Sequence, residues 1–206
     1  MNNISTKAIS TKLKTQCNAG LVLFICLFCI TSACTAQTVP SAEPVSEIKS
    51  TVDSTAAGEL ILKQEVWVRA SLNKVWDAYT TEAGWSQWVS PLVSIELKNG
   101  GMIRTNYNPE GTLDDDTANT LFIRNYVPHK MLTLQADISP NWPEFMKEEA
   151  DNLFNVVLFD ALSDEKTKIT SYGMGYKNNE KYLGLMKFFI EGNEMSFRKL
   201  KEYLEK

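Results

Sequence analysis

The sequence predicts an α+β domain, in which a curved, mostly antiparallel sheet of six to seven strands wraps a long C-terminal helix and two short helices follow the first strand. Three observations lead there. First, Asn178–Lys206 repeats its apolar residues at helical spacing. At 100° per residue, Tyr182, Leu185, Met186, Phe189, Ile190, Phe197, Leu200, Tyr203 and Leu204 fall on one face, and Lys187, Glu191, Glu194, Arg198, Lys201, Glu202 and Glu205 on the other. Second, the preceding hundred residues hold several β-branched and aromatic runs separated by turn signals, the pattern of consecutive hairpins. Third, between the first run and the second lie two short segments that begin with Ser or Thr, as capped helices do. A helix of roughly 40 Å cannot bury its stripe alone, so the strands must supply the apolar surface.

Taken in order, residues 1–33 read as an export signal. Lys7, Lys12 and Lys14 precede the unbroken apolar run Ala19–Ile30, small residues follow, and no acid occurs before Glu43. Twelve apolar residues are too few for a permanent membrane span. Two cleavage readings stand. Ile30-Thr31-Ser32-Ala33-Cys34 resembles a bacterial lipobox, with Thr31 where Leu is usual, and makes Cys34 the lipidated first residue of the mature protein. Ordinary signal peptidase would instead cut after Ala36. Either way the expected location is the bacterial periplasm or cell envelope. Residues 34–58, rich in Ser, Thr, Ala and Pro and free of aromatics, read as a flexible tether. The folded domain is expected over residues 59–206.

All four cysteines lie in the first 34 residues, so the domain can hold neither a disulfide nor a thiolate metal site. Residues 1–33 contain three lysines and no acid, so the remainder carries 18 basic and 25 acidic residues, a net charge of −7. That balance excludes nucleic acid as an expected partner and leaves the membrane reached only through an anchor at Cys34.

Within the domain, Glu59–Ala70 alternates as a first strand. Ser71 caps the first short helix, and a second begins near Thr80 or Thr81, bringing Trp76, Tyr79, Trp85 and Trp88 together. Pro91–Leu97 and Met102–Tyr107 flank the hairpin signal Lys98-Asn99-Gly100-Gly101. Asn119–Tyr126 and Met131–Ala136 are joined through Val127-Pro128-His129-Lys130. Residues 139–152 interrupt the meander with a short helix whose capping box pairs Asn141 with Glu144. Leu153–Leu162 and Thr167–Tyr176 form the last hairpin.

This order resembles the helix-grip fold of the START-like superfamily, also called SRPBCC. Within it the likeness is to the homologues of the heat-shock-chaperone ATPase activator. It is carried by Val75-Trp76-Asp77-Ala78-Tyr79-Thr80, Trp85 and Trp88, the Gly100-Gly101 turn running into Met102-Ile103-Arg104, and Ile123 to Leu132 with its central Pro128. It departs from the family at Ser71, where Pro is common, and at residues 139–152, which look like an insertion. The resemblance implies a cavity between sheet and terminal helix. It also implies hydrophobic-ligand binding or a chaperone-related role rather than one defined reaction.

No phosphate-binding glycine loop, HExxH or CxxC occurs in the domain, and no cofactor is expected. His129, the sole histidine, reads as a turn residue rather than a general base. Asp114-Asp115-Asp116 reads as a solvated loop rather than a calcium site, lacking alternating ligands and a glycine turn. The candidate cavity residues are Trp85, Trp88, Met102, Arg104, Phe122, Phe154, Tyr172, Met174, Met186, Phe189 and Asn193. Plain core packing is the competing reading of the apolar ones. Asn193 and Ser196 stand inside the apolar stripe beside Gly192, which expects either a cavity facing them or a helix kink with both satisfied by backbone.

The expected function is a cell-envelope module that binds a small hydrophobic or amphipathic molecule, with Trp142, Phe145 and Met146 as a cover. The alternatives are a cavity enzyme using Glu65, Arg104, Asp160 or Tyr172, and a chaperone-related protein-binding module. The export signal opposes the last.

Overall fold

The computed structural model of the protein describes residues 48–138 and 142–206. Eight strands form one antiparallel sheet in the order β1-β2-β8-β7-β6-β5-β4-β3. They are β1 Ile48–Ser54, β2 Glu59–Val68, β3 Leu92–Ile95, β4 Met102–Asn106, β5 Asn119–Val127, β6 Met131–Ala136, β7 Phe154–Ser163 and β8 Lys166–Lys177. Register shifts at Leu60/Leu62, Ile123/Asn125 and Ala161/Ser163 bend the sheet, as bulges do. Helices α1 (Leu72–Thr80) and α2 (Glu82–Trp85) follow β2. The short α3 (Glu144–Lys147) and a single 3-10 turn at Ala150–Asn152 stand between β6 and β7, and α4 (Glu180–Leu204) ends the chain.

The caps explain where the helices start. The hydroxyls of Ser71 and Thr81 accept the amides of Lys74 and Gly84, and the Asn179 side chain accepts that of Tyr182 at 3.2 Å. Gly84 is required for α2 to meet α1, because a Cβ there would stand 2.4 Å from the Asp77 carbonyl oxygen. Helix α3 departs from its expected start: Pro143 occupies its cap position with no side-chain bond, and Asn141 lies outside the described residues.

The sheet has one strand more than the upper bound expected, and it comes from the stretch read as tether. Ile48–Ser54 pairs with β2 along its whole length, Ile48 against Val66 to Ser54 against Leu60. Its Ser and Thr content hid the alternation of Ile48, Ser50 and Val52. The expected export signal, Cys34 and the rest of the tether before Ile48 lie outside the described residues. Among the described residues, no helix is long and apolar enough to cross a membrane.

Helix α4 lays Tyr182, Met186, Phe197 and Leu200 onto the sheet, all buried. Two apolar clusters result. The larger joins Val66, Val68, Ile103, Ile123, Leu132, Val157, Phe159 and Ile169 to α1, α2 and the α4 residues Phe197 and Leu200. The smaller joins Leu60, Leu62, Tyr176, Tyr182 and Met186 to Met146 and Leu153 of the insertion.

Truncating the α4 stripe should therefore cost far more than truncating its outer side. Leu200→Ala is expected to lose about 2–5 kcal/mol of unfolding free energy. Phe188→Ala, at a side chain 63% exposed, should stay within about 0.5 kcal/mol of the parent; chemical denaturation of both variants measures the difference.

Candidate functional site

The gap between the two clusters is filled by neutral polar groups. On β2 the side chains facing α4 are Leu60, Leu62, Gln64, Val66 and Val68, so a glutamine stands in the middle of an apolar row, 1% exposed. A buried amide needs partners, and they are supplied from both sides. Asn193 of α4 donates to Gln64 Oε1 at 2.8 Å, Gln64 Nε2 donates to Ser50 Oγ at 3.0 Å, and Ser50 donates to Glu194 at 2.8 Å. Ser50, Gln64 and Ser171 are register neighbours on β1, β2 and β8. Ser171 donates in turn to Asn155 of β7 at 2.8 Å. A polar belt thus crosses four adjacent strands beneath the middle of α4.

Above the belt, α4 is uninterrupted at Gly192. Ser196 bonds back to the Gly192 carbonyl at 3.1 Å, so it is satisfied by backbone, while Asn193 turns to the sheet. A Cβ on Gly192 would meet nothing within 4 Å, so that flank of the helix is open. At the other end of the smaller cluster the insertion folds over α4. Trp142 stacks on Phe189 at 6.0 Å, Phe145 meets Tyr182 edge-on at 5.0 Å, and the Tyr182 hydroxyl donates to the Phe145 carbonyl. Tyr176, on the same cluster, has its phenol pushed up to about 12 by burial.

Most of the cavity residues expected from sequence are placed elsewhere. Met102 pairs with Phe122, Phe154 with Met174, and Tyr172 with Val156, all one residue out of step with Ile103, Ile123, Val157 and Ile169 of the core. Strand side chains alternate faces, so Met102, Arg104, Phe122, Phe154, Tyr172 and Met174 lie on the side of the sheet away from α4. Arg104 donates there to the Leu113 carbonyl and to Asp114. Trp85 and Trp88 are packed with Tyr79 in the larger cluster, and the Trp88 indole donates to the Ala78 carbonyl. Met186 is core. Only Phe189 and Asn193 border the belt region. Gln64, Ser50, Asn155 and Ser171 were missed, although a glutamine in the alternating run ELILKQEVWV was a readable signal.

The acid–base groups considered for catalysis share the wrong face as well. Glu65 is bridged by Lys168 at 2.6 Å and Lys63 at 3.1 Å, Asp160 is paired in register with Lys168, and Tyr172 is opposite Lys63. His129 takes the left-handed position of its turn, φ 58°, with its ring 5.3 Å from that of Trp76. In the 108–117 loop, Asp115 accepts from the Thr112 amide and hydroxyl and from Asn106, which holds its carboxyl below the usual range. No three His, Cys, Asp or Glu side chains converge among the described residues. A shallow cleft of about 440 Å³ opens between α2, β3 and that loop, but its one ionisable group, Glu82, already accepts from the Ile95 amide.

Residues 69–205 match the family model described as activator of Hsp90 ATPase homolog 1-like protein. The chain belongs to that family. No curated protein matches it significantly, whereas many solved structures do. The Aha1 dimer of Colwellia psychrerythraea superposes with a TM-score of 0.54 at 16% identity, over 70% of this chain and 96% of that one. Protein Ms6760 of Mycobacterium smegmatis gives 0.54 at 17%, over 76% and 97%. Protein NE0264 of Nitrosomonas europaea gives 0.52 at 20%, over 73% and 96%. At these identities the likeness shows the helix-grip fold. What distinguishes this member of the family must be read from its own side chains.

Two measurements test the site's energetics. In a double-mutant cycle with Gln64→Leu and Asn193→Leu, each single change should destabilise by about 1–3 kcal/mol by orphaning a buried amide, with a coupling of about 1 kcal/mol. On the far face, the Lys168 and Lys63 bonds hold the Glu65 carboxyl below its ordinary 4.5. A depressed carboxyl adds stability above that value and loses it as pH falls through the depressed one. Glu65→Gln should therefore be less stable than the parent at neutral pH, with the gap closing in acid; thermal melts between neutral and acid pH report it.

Proposed function

We propose that the protein is an envelope-tethered binding module that holds a small, uncharged amphipathic molecule between the sheet and α4. The observation that carries this reading is the belt Ser50–Gln64–Ser171–Asn155 with Asn193 above it, flanked by apolar surface on both sides. A side-chain amide offers four hydrogen-bonding positions, and the contacts among the described residues use only part of those on Asn193 and Asn155. A guest with a hydroxyl, ester or amide group meets matching donors and acceptors there, while its apolar ends meet the Val66 and Leu62 sides. Apart from Glu194, bonded through Ser50, the belt has no charge, and a buried ion without a counter-charge is strongly disfavoured. Open space at Gly192 supports access along one flank of α4. The insertion residues Trp142 and Phe145, packed on Phe189 and Tyr182, support a cover at the other end.

The tether rests on the amino-terminal sequence: the basic residues, the apolar run Ala19–Ile30 and Cys34. An enzymatic reading has less support, since Glu65, Arg104, Asp160 and Tyr172 all face away from α4.

Detergent-free purification followed by native mass spectrometry should find bound neutral amphiphile. A fluorescent fatty alcohol should bind roughly ten-fold more tightly than the corresponding fatty acid, and Asn193→Leu should narrow that preference, about 1.4 kcal/mol being a factor of ten. A protein that arrives empty and takes up neither probe overturns the binding role. Intact mass of the membrane-bound form, starting at an acylated Cys34, tests the tether separately.

A further inference from the structure

The hairpin between β3 and β4 turns on the chain's single Asn-Gly dipeptide, Asn99-Gly100. Asparagine is chemically labile, and most so before glycine, where no Cβ shields the following backbone nitrogen. Both residues are exposed, and a Cβ on Gly100 would meet nothing within 4 Å, so water and space surround the reacting atoms. The backbone nitrogen itself is engaged. Gly100 takes the left-handed conformation, φ 77°, and its N–H donates to the Ile123 carbonyl of β5 at 2.8 Å. The Ile123 N–H donates back to the Gly101 carbonyl at 2.8 Å, and the Gly101 N–H closes the turn on the Lys98 carbonyl at 2.9 Å. Ile123 is fully buried in the larger cluster, so this pair of bonds ties the turn to the core.

We propose that Asn99 is a deamidation site held closed by the Gly100–Ile123 hydrogen bond and released when the turn lifts off β5. In the reaction the Gly100 nitrogen bonds to Asn99 Cγ, and Cγ gives up its own nitrogen, which leaves as ammonia with the Gly100 proton. The succinimide so formed takes up water at either carbonyl and opens to aspartate or isoaspartate. The Gly100 nitrogen cannot both donate to Ile123 and attack Asn99, so the rate follows the population in which that bond is broken. The change is one-way. Aspartate adds a negative charge at the tip of the turn. Isoaspartate lengthens the main chain by a carbon, so that Gly100 and Gly101 no longer meet Ile123 in step. A transient opening thereby becomes a permanent loosening of β5, beside its register shift at Ile123/Asn125.

Hydrogen exchange at the Gly100 amide reports the same broken bond and so serves as the internal control. The full chain is incubated at mildly alkaline pH in native buffer, in graded sub-denaturing urea and fully unfolded, and the peptide containing Asn99 is followed by the mass change from amide to acid. The unfolded chain should convert Asn99 to the two acids, and the native chain should do so at least about ten-fold more slowly. Ile123→Ala should speed Gly100 exchange and Asn99 conversion by the same factor; where that variant does not fold, the urea series on the parent makes the same comparison. The isoaspartate form, once separated, should exchange its Ile123 amide roughly ten-fold faster than the parent. An unfolded chain that keeps Asn99 intact overturns the site. A native chain that converts as fast as the unfolded one overturns the gate, as does Gly100 exchange that accelerates without conversion. An isoaspartate form that exchanges like the parent overturns the loosening of β5.

Discussion

The hydrogen bond from Asn193 to Gln64 fixes how α4 lies on the sheet. Apolar contacts alone are forgiving of register, because one turn of an amphipathic helix resembles the next. A one-turn slip here would bring Phe189 or Phe197 over Gln64 and take the Asn193 donor from its buried Oε1, at a cost of about 1–3 kcal/mol. Sliding is further opposed at the carboxyl end, where Lys201 donates to the Trp67 carbonyl at 2.7 Å and Glu205 accepts from the Arg69 backbone and guanidinium. The helix is thus held at its middle by neutral amides and at its end by charge. Between those points the apolar stripe supplies attraction without choosing a position.

The same arrangement sorts the chain's polar groups by face. Toward α4 the strands present amides and hydroxyls. Away from it they present the Lys63–Glu65–Lys168 cluster and Arg104. Ion pairs tolerate the half-wet outer face, where water still screens them, whereas the inner face would impose a desolvation penalty on each charge. Charge is thus kept to the outer face, and the inner face is polar without being ionised except where Ser50 reaches Glu194.

Much of this architecture was legible in the sequence because it depends on period and punctuation. The α4 stripe, the caps at Ser71 and Thr81, the Gly100-Gly101 turn and the hairpins all announce themselves within a few residues. What was not legible depended on parity. Choosing Met102, Phe122 and Phe154 as cavity residues treated size and hydrophobicity as signs of burial. Their neighbours Ile103, Ile123 and Asn155 are the ones that face the helix. On a strand a one-residue error moves a side chain across the whole sheet, and only partners from distant segments reveal the correct parity. The strand β1 escaped for another reason: seven residues with two serines and a threonine look like tether until Val66, Gln64 and Leu62 of β2 stand beside them.

The boundaries of family likeness bear on what can be carried over to this chain. The matched stretch begins at residue 69, so it contains Ser171, Asn155 and Asn193 but neither Gln64 nor Ser50. Half of the belt therefore comes from the two strands that precede the shared part. Gln64 is its hinge, since it bonds Asn193 above and Ser50 beside it, and an aliphatic residue in its place would take that partner from both. Relatives with the same sheet and helix but a different residue at this place would have an interior of different polarity. The fold consequently sets where the polar belt lies, and two of its members, Ser50 and Gln64, come from β1 and β2 outside the shared stretch.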